Sequence, residues 1–250
     1  MKVIPLGTVS PYCKGDKNCP GFLVISYDKK VLLDCGSGIS RLLNMPNDLN
    51  NLIIIISHLH KDHYSDLSSI AYSSYVYAKL GLLKEKIKVY IPNDCSTYDF
   101  NYLMNFGNEN YFQFIVYDSN TKIKYGDMKI SFKENPHPLL TFSCKIESNT
   151  YSLVYSSDSG YKNNCLDNFA KHCDLLICES SFLKKQVKNS DNHLTSYEAG
   201  LIAKNANVKL LALTHFWPEI EKEEYVKDAR VAFKNTIACE ENKIIDLEVL

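Results

Sequence analysis

The sequence predicts an α/β protein, a single domain over residues 1–250 in which two groups of strands are each followed by helices. Three observations carry this reading. Short β-branched or aliphatic runs alternate with helix-length stretches. The run Leu52-Ile53-Ile54-Ile55-Ile56 is apolar throughout, as in a strand covered on both faces. No Pro/Ser/Gly-rich linker and no internal repeat divides the chain.

Taken in order, Lys2–Leu6, Gly21–Tyr27 and Val31–Asp34 read as strands because Gly, Pro and Asp turn signals separate them. A short helix is expected over Ser37–Met45, closed by Pro46, before the buried strand Leu52–Ile56. Further strands are expected at Ile87–Ile91, Phe112–Tyr117, Met128–Phe132, Phe142–Glu147, Tyr151–Ser156, Leu175–Cys178, Lys209–Leu213 and Ile244–Val249. Helices are expected over Leu67–Leu83, Ser96–Asn105, Asn163–His172, Ser196–Asn205 and Glu219–Phe233.

With 45% apolar and 23% charged residues, the chain has a globular composition, which excludes disordered and collagen-like classes. Its longest apolar run is far short of the ~20 residues that cross a bilayer. Pro5 and Gly7 interrupt the N-terminus before a signal-peptide core could form, so a cytoplasmic location is expected, with no membrane partner. Lys plus Arg total 28 against 29 Asp plus Glu, which gives no general attraction for polyanions. Arg41 and Arg230 are the only arginines, so the planar forks that read guanine edges are scarce and DNA is not an expected partner. Nine cysteines, an odd and scattered set, read as reduced thiols that behave as small buried hydrophobes.

The chemistry follows the buried strand directly. Ser57-His58-Leu59-His60-Lys61-Asp62-His63 places four potential ligands within six residues. In extended backbone, residues two apart project the same way, so His58 and His60 can share one metal while Asp62 and His63 swing to a second. A lone histidine at a strand end is usually a surface or satisfied core residue. Packing does not explain three imidazoles beside a carboxylate, whereas a cation neutralises them. Further candidates stand at strand ends: His137 in Asn135-Pro136-His137-Pro138, Asp158 after Tyr155-Ser156-Ser157, and His215 after Leu213-Thr214. Of these three, only Asp158 can bridge, because a carboxylate offers two oxygens. His172, near a helix end, reads as a surface residue favoured by the helix dipole.

The His58-Leu59-His60-Lys61-Asp62-His63 segment matches the H-x-H-x-D-H signature of the metallo-β-lactamase fold hydrolases, and His137, Asp158 and His215 follow in that family's order. Leu33-Asp34-Cys35-Gly36-Ser37-Gly38 resembles its early D-x-G turn, whose Asp supports the metal ligands. The resemblance covers essentially the whole chain and implies a four-layer αββα sandwich with metals at one edge of two sheets. His193-Leu194-Thr195-Ser196, Ala199-Gly200-Leu201-Ile202-Ala203, Leu211-Ala212-Leu213-Thr214-His215-Phe216 and Leu175-Leu176-Ile177-Cys178-Glu179-Ser180-Ser181-Phe182 resemble the ribonuclease Z branch and its small phosphodiesterase-like relatives. That likeness implies His58, His60 and His137 around one metal, Asp62, His63 and His215 around another, and Asp158 bridging. His193 becomes an extra catalytic histidine, with Asp62 and Glu179 beside it in the catalytic set. Glu179 either orients His193 or stands as a plain carboxylate at the start of a helix. One feature departs from ribonuclease Z. Asp158 follows His137 by only 21 positions, where tRNA-processing members carry a long Gly/Pro-rich arm.

The implied cofactors are two divalent metal ions, zinc first, with manganese or iron also compatible with mixed N/O ligands. Two such ions about 3.5–4 Å apart can share a hydroxide as nucleophile, while His193 protonates the leaving oxygen. A phosphodiesterase acting on a small-molecule or nucleotide-like ester is the leading expectation. Its rivals are tRNA 3′-processing, hydrolysis of a lactone, thioester or sulfate ester, and a metal-binding module without catalysis. A homodimer is the assembly to test.

Overall fold

Residues 52–56 send their side chains alternately into two different cores. Ile53 and Ile55 enter one, whereas Leu52, Ile54 and Ile56 enter another. This alternation is why the run carries no polar residue: each fully buried aliphatic side chain contributes about 1.5–3 kcal/mol, and a polar one would meet hydrocarbon on either face. The computed structural model describes residues 1–106, 112–162, 165–187 and 190–250.

In chain order, the first strands are β1 (Lys2–Gly7), β2 (Gly21–Ser26), β3 (Lys29–Leu33) and β4 (Leu52–Ile55). The short helix α1 (Lys61–Tyr64) and α2 (Leu67–Lys79) follow, then β5 (Ile87–Pro92), α3 (Tyr98–Phe106) and β6 (Phe112–Tyr117). The second half contains β7 (Lys122–Tyr125), β8 (Met128–Glu134), β9 (Phe142–Glu147), β10 (Ser152–Tyr155), α4 (Cys165–Phe169) and β11 (Leu175–Glu179). It ends with α5 (Ser196–Ala206), β12 (Leu210–Thr214), α6 (Lys222–Ala229), β13 (Thr236–Ala238) and β14 (Ile245–Asp246).

These strands form two mixed seven-stranded sheets, ordered β14-β1-β2-β3-β4-β5-β6 and β13-β12-β11-β10-β9-β8-β7. Val24, Val31, Ile53 and Ile55 of the first meet Phe132, Ile146, Leu153 and Ile177 of the second in the central core. On the outer face of the first sheet, Leu32, Ile54 and Val89 pack with Leu67 and Ile70 of α2 and Phe100 and Leu103 of α3. Opposite, Leu176, Cys178 and Leu211 pack under Ala199, Ile202 and Ala203 of α5 and Tyr225 of α6. Three cores between four layers make the αββα sandwich that the resemblance implies.

Parallel pairing places the functional segments. β3 runs parallel to β4, and β10, β11 and β12 run parallel to one another, so the segments following all five strands leave from carboxyl ends. Loops at such ends are where open α/β sheets bind ligands. Helix α5 is fixed at its start by a capping box between Thr195 and Glu198, and ends on Asn207 in the left-handed conformation.

Several elements differ from expectation. Ser37–Met45 contains only a 3-10 turn at Ser40–Leu42, because Asp66 and Gly36 take up the backbone locally. In Ile244–Val249 only Ile245 and Asp246 pair with β1, and Leu247–Val249 turn as a 3-10 helix. The helix expected over Asn163–His172 spans Cys165–Phe169, and its expected first two residues lie outside the described ones. Strands β7 and β13 were not anticipated. The described cysteines are free thiols. Among the described residues, no helix is long and apolar enough to cross a membrane.

Candidate metal centre

Asp34 follows β3 and adopts a left-handed backbone (φ 59°), a conformation open to few residues besides Gly, Asn and Asp. It is fully buried, and it accepts hydrogen bonds from the Ser57 amide (2.7 Å), the Ser57 hydroxyl (2.8 Å), His63 Nδ1–H (2.7 Å) and the Tyr155 hydroxyl (2.7 Å). One carboxyl thereby ties the ends of β3, β4 and β10 together. Gly36 is needed two residues on, since a Cβ there would lie 2.0 Å from the Asp62 carbonyl oxygen.

The histidine tautomers follow from their outer partners. Ser57 donates to Asp34, so His58 Nδ1–H donates to the Ser57 oxygen at 3.1 Å. His63 Nδ1–H donates to Asp34, and His137 Nδ1–H donates to the Asn192 carbonyl at 3.0 Å. Ser181 donates to Glu179 at 2.7 Å and accepts from His215 Nδ1–H at 2.8 Å. With each Nδ1–H engaged, the neutral forms of His58, His63, His137 and His215 present their lone pair at Nε2.

Those lone pairs converge. His60 Nδ1 lies 2.9 Å from His58 Nε2 and 3.2 Å from His137 Nε2, so a single proton could relieve only one of the two contacts. Asp158 Oδ2 stands 3.6 Å from His58 Nε2 and 3.9 Å from His137 Nε2. Its other oxygen is 3.4 Å from His63 Nε2 and 3.0 Å from His215 Nε2. Asp62 Oδ2, itself held by the Ser10 hydroxyl at 2.7 Å, lies 3.6 Å from His63 Nε2 and 3.8 Å from His215 Nε2. The donor atoms therefore fall into two groups, His58/His60/His137/Asp158 and Asp62/His63/His215.

Electrostatics point the same way. Burial, reinforced by His63, holds His58 well below the usual imidazole range, and burial with the neighbouring His137 lowers His60. Burial also lowers His137, leaving three neutral imidazoles with lone pairs free for a cation. Burial alone would raise Asp158, but His215, His63 and His58 hold it well below the usual carboxylate range. For His63, burial is outweighed by Asp158, Asp34 and Asp62, which push it up to about 10, so a cation bound at its Nε2 would displace a proton and take over the neutralisation of these carboxylates. The buried atoms His63 Nε2, His215 Nε2 and Asp158 Oδ1 have no hydrogen-bond partner. Imidazole and carboxylate donors with unpartnered, mutually facing lone pairs fit divalent cations.

Beside this cluster, His193 Nδ1 is 3.1 Å from Glu179 Oε1 and 3.9 Å from Asp158 Oδ2. Glu179 ends β11 and is 1% exposed, so it does not begin a helix as one reading expected; it fixes His193, Ser181 and the Ser159 amide. Asp158, His193 and His215 also form a third possible ligand group. His172 lies apart from the cluster, exposed and facing Asn207. The structure thus brings His58, His60, Asp62, His63, His137, Asp158, Glu179, His193 and His215 to one edge. It adds partners that sequence reasoning did not assign: Ser10, Ser57, Tyr155 and Ser181. Ser57, Tyr155 and Ser181 stood inside quoted segments, but Ser10 gave no local signal.

Fold and donor set together define a metal-dependent hydrolase of the metallo-β-lactamase fold. More narrowly, residues 1–236 match the family described as the anti-Pycsar protein Apyc1, and the chain belongs to that family. The probable metallo-hydrolase YhfI of Bacillus subtilis is 28% identical over 238 residues, covering 95% of this chain and 96% of the relative. Its crystal structure superposes with a TM-score of 0.89 at 26% identity, covering 98% of both chains. Ribonuclease Z of Thermococcus sibiricus is 28% identical over 284 aligned residues, covering 92% of this chain and 90% of the relative. That alignment is longer than this 250-residue chain, so the ribonuclease Z carries segments absent here. Human tRNase Z, short form, shares the fold, with a TM-score of 0.77 at 20% identity and 99% of each chain covered.

Proposed function

We propose that the protein is a phosphodiesterase with two divalent metal ions, zinc first, acting on a small or cyclic nucleotide-like diester. His58, His60 and His137 would hold one ion, Asp62, His63 and His215 the other, and Asp158 would be shared. Bound there, the ions would supply a nucleophilic water at neutral pH and offset phosphoryl charge.

The observation that carries the reading is the hydrogen bond between His193 and Glu179 beside Asp158. A phosphodiester releases an alkoxide, which needs a proton far more than the leaving group of an activated ester does. With Nδ1–H donated to Glu179, His193 keeps Nε2 as the nitrogen that exchanges a proton. Burial tends to lower its pKa, but Glu179 reverses this and raises it to about 9, so at neutral pH the ring carries the proton an acid must give. The substrate reading rests on what lies between His137 and Asp158. That interval is filled by β9 and β10 of the sheet, leaving no room for an RNA-gripping arm.

Metal analysis and a substrate panel test the reading. Close to two ions per chain are expected. Turnover of a cyclic nucleotide and a chromogenic phosphodiester should exceed turnover of a lactone, thioester or sulfate ester. Preference for the lactone or thioester would overturn it.

A further inference from the structure

Trp217, the only tryptophan, is 41% exposed although it follows His215 by two residues, and Tyr12, 46% exposed, follows Ser10 by two. His215 belongs to one donor group, and Ser10 holds that group's Asp62. Two residues of chain reach at most about 7 Å, so both side chains are rooted within that distance of residues that build the metal centre. The loops carrying them are joined. Val9 and Phe216 form a parallel bridge, the Ser10 amide donates to the Phe216 carbonyl at 3.0 Å, and the Phe216 amide donates to the Thr8 carbonyl at 2.9 Å.

The rings are fixed by their polar atoms, and the core does not cover them. Trp217 Nε1–H donates to the Tyr12 hydroxyl oxygen at 3.3 Å, and the Tyr12 hydroxyl donates to Glu219 Oε1 at 3.0 Å. Lys14 Nζ anchors the same carboxylate oxygen at 3.2 Å, and the Trp217 amide donates to the hydroxyl oxygen of Tyr225, a ring buried against α5 and Phe216. Exposed aromatic surface costs hydration free energy, and here the chain spends four hydrogen bonds on holding two such rings in place.

We infer that Trp217 and Tyr12 form a stacking platform for the nucleobase of a nucleotide-like substrate whose phosphodiester sits at the metal centre. The inference rests on the phosphodiesterase reading and deepens it by naming which part of the substrate the rim selects. Stacking accepts any base, because each presents a π face, so the platform selects nucleotides over base-free phosphodiesters. The energy is spent alike on ground and transition states, which places the effect in KM.

Because Trp217 is the sole tryptophan, its emission reports the platform directly. Titration of the protein with a nucleoside 5′-monophosphate is expected to quench that emission, whereas ribose 5-phosphate at equal concentration leaves it unchanged. Trp217→Ala should raise KM for a 3′,5′-cyclic nucleotide about 5- to 150-fold with kcat little altered, and Trp217→Phe should recover part of the loss. Neither change should affect the cyclic phosphate of a base-free ribose. Equal quenching by both phosphates, or equal defects on both substrates, would overturn the platform. So would emission that shifts with protein concentration alone, because the ring would then be covered by a second copy. If the wild-type protein hydrolyses no nucleotide diester, the phosphodiesterase reading fails, and the monophosphate titration still decides the platform on its own.

Discussion

His215 Nε2 stands 3.0 Å from Asp158 Oδ1, and neither of these buried atoms has a hydrogen-bond partner. The opposite oxygen of Asp158 faces His58 and His137, so one carboxylate touches both donor groups. Asp158→Ala should therefore lower metal content to one ion per chain or fewer and abolish hydrolysis. Elemental analysis beside a rate assay measures both. A variant that kept two ions and full activity would show that Asp158 bridges nothing.

Asp34 acts one shell further out, and its loss should separate stability from ligation. Asp34→Ala leaves the Ser57 amide, His63 Nδ1–H and the Tyr155 hydroxyl as buried donors without an acceptor, each costing about 1–3 kcal/mol. Asn at this position keeps the shape and tolerates the left-handed backbone. Chemical denaturation should find Asp34→Ala several kcal/mol less stable than Asp34→Asn. In Asp34→Asn, competition with a chelator should find metal affinity reduced about 10- to 100-fold, the usual cost of losing an outer partner. Unchanged affinity would make Asp34 a fold-holding residue only.

These two residues show what was legible in the sequence. Asp34 and Asp158 sit in short motifs whose spacing carries the signal, as do the six clustered residues from His58 to His63. Strands β4 and β11 were readable because both faces are buried, which enforces an apolar run. Strand β7, with Lys122 and Lys124 pointing outward at a sheet edge, had no such pressure on its composition. Ile244–Val249, with four aliphatic residues in six, looked like a strand, yet its two-residue pairing with β1 is set by tertiary contacts. Ser10 lies 52 residues from Asp62, and Tyr155 lies 121 from Asp34. No local pattern announces such pairs.

The short His137-to-Asp158 interval and the two arginines predict that precursor tRNA is a poor substrate, despite the likeness to ribonuclease Z. Affinity for a long polyanion comes from many neutralised phosphates, and a chain with net charge −1 and no RNA-gripping arm offers few. Side-by-side assays should find kcat/KM for a cyclic nucleotide or small diester well above that for precursor tRNA. Efficient and accurate 3′ trimming would mean that another surface replaces the arm.

The last prediction concerns the proton on His193. Its pKa is raised to about 9, with Glu179 the leading opponent of burial. Bound cations would lower that value, and the acid form is lost as pH rises through the resulting pKa, so kcat/KM on a natural diester should fall along an alkaline limb. Glu179→Gln removes the negative charge that sustains the raised pKa, and the limb should move to lower pH. His193→Ala should keep its metal ions, lose the limb, and slow the reaction about 10²- to 10⁴-fold. That loss should shrink on a nitrophenyl ester, because nitrophenolate departs without a proton whereas a ribose alkoxide does not. If the limb stays in place in Glu179→Gln, or both substrates suffer equally in His193→Ala, His193 positions the substrate and donates no proton. If His193→Ala loses metal, the residue is a ligand, in the group with Asp158 and His215.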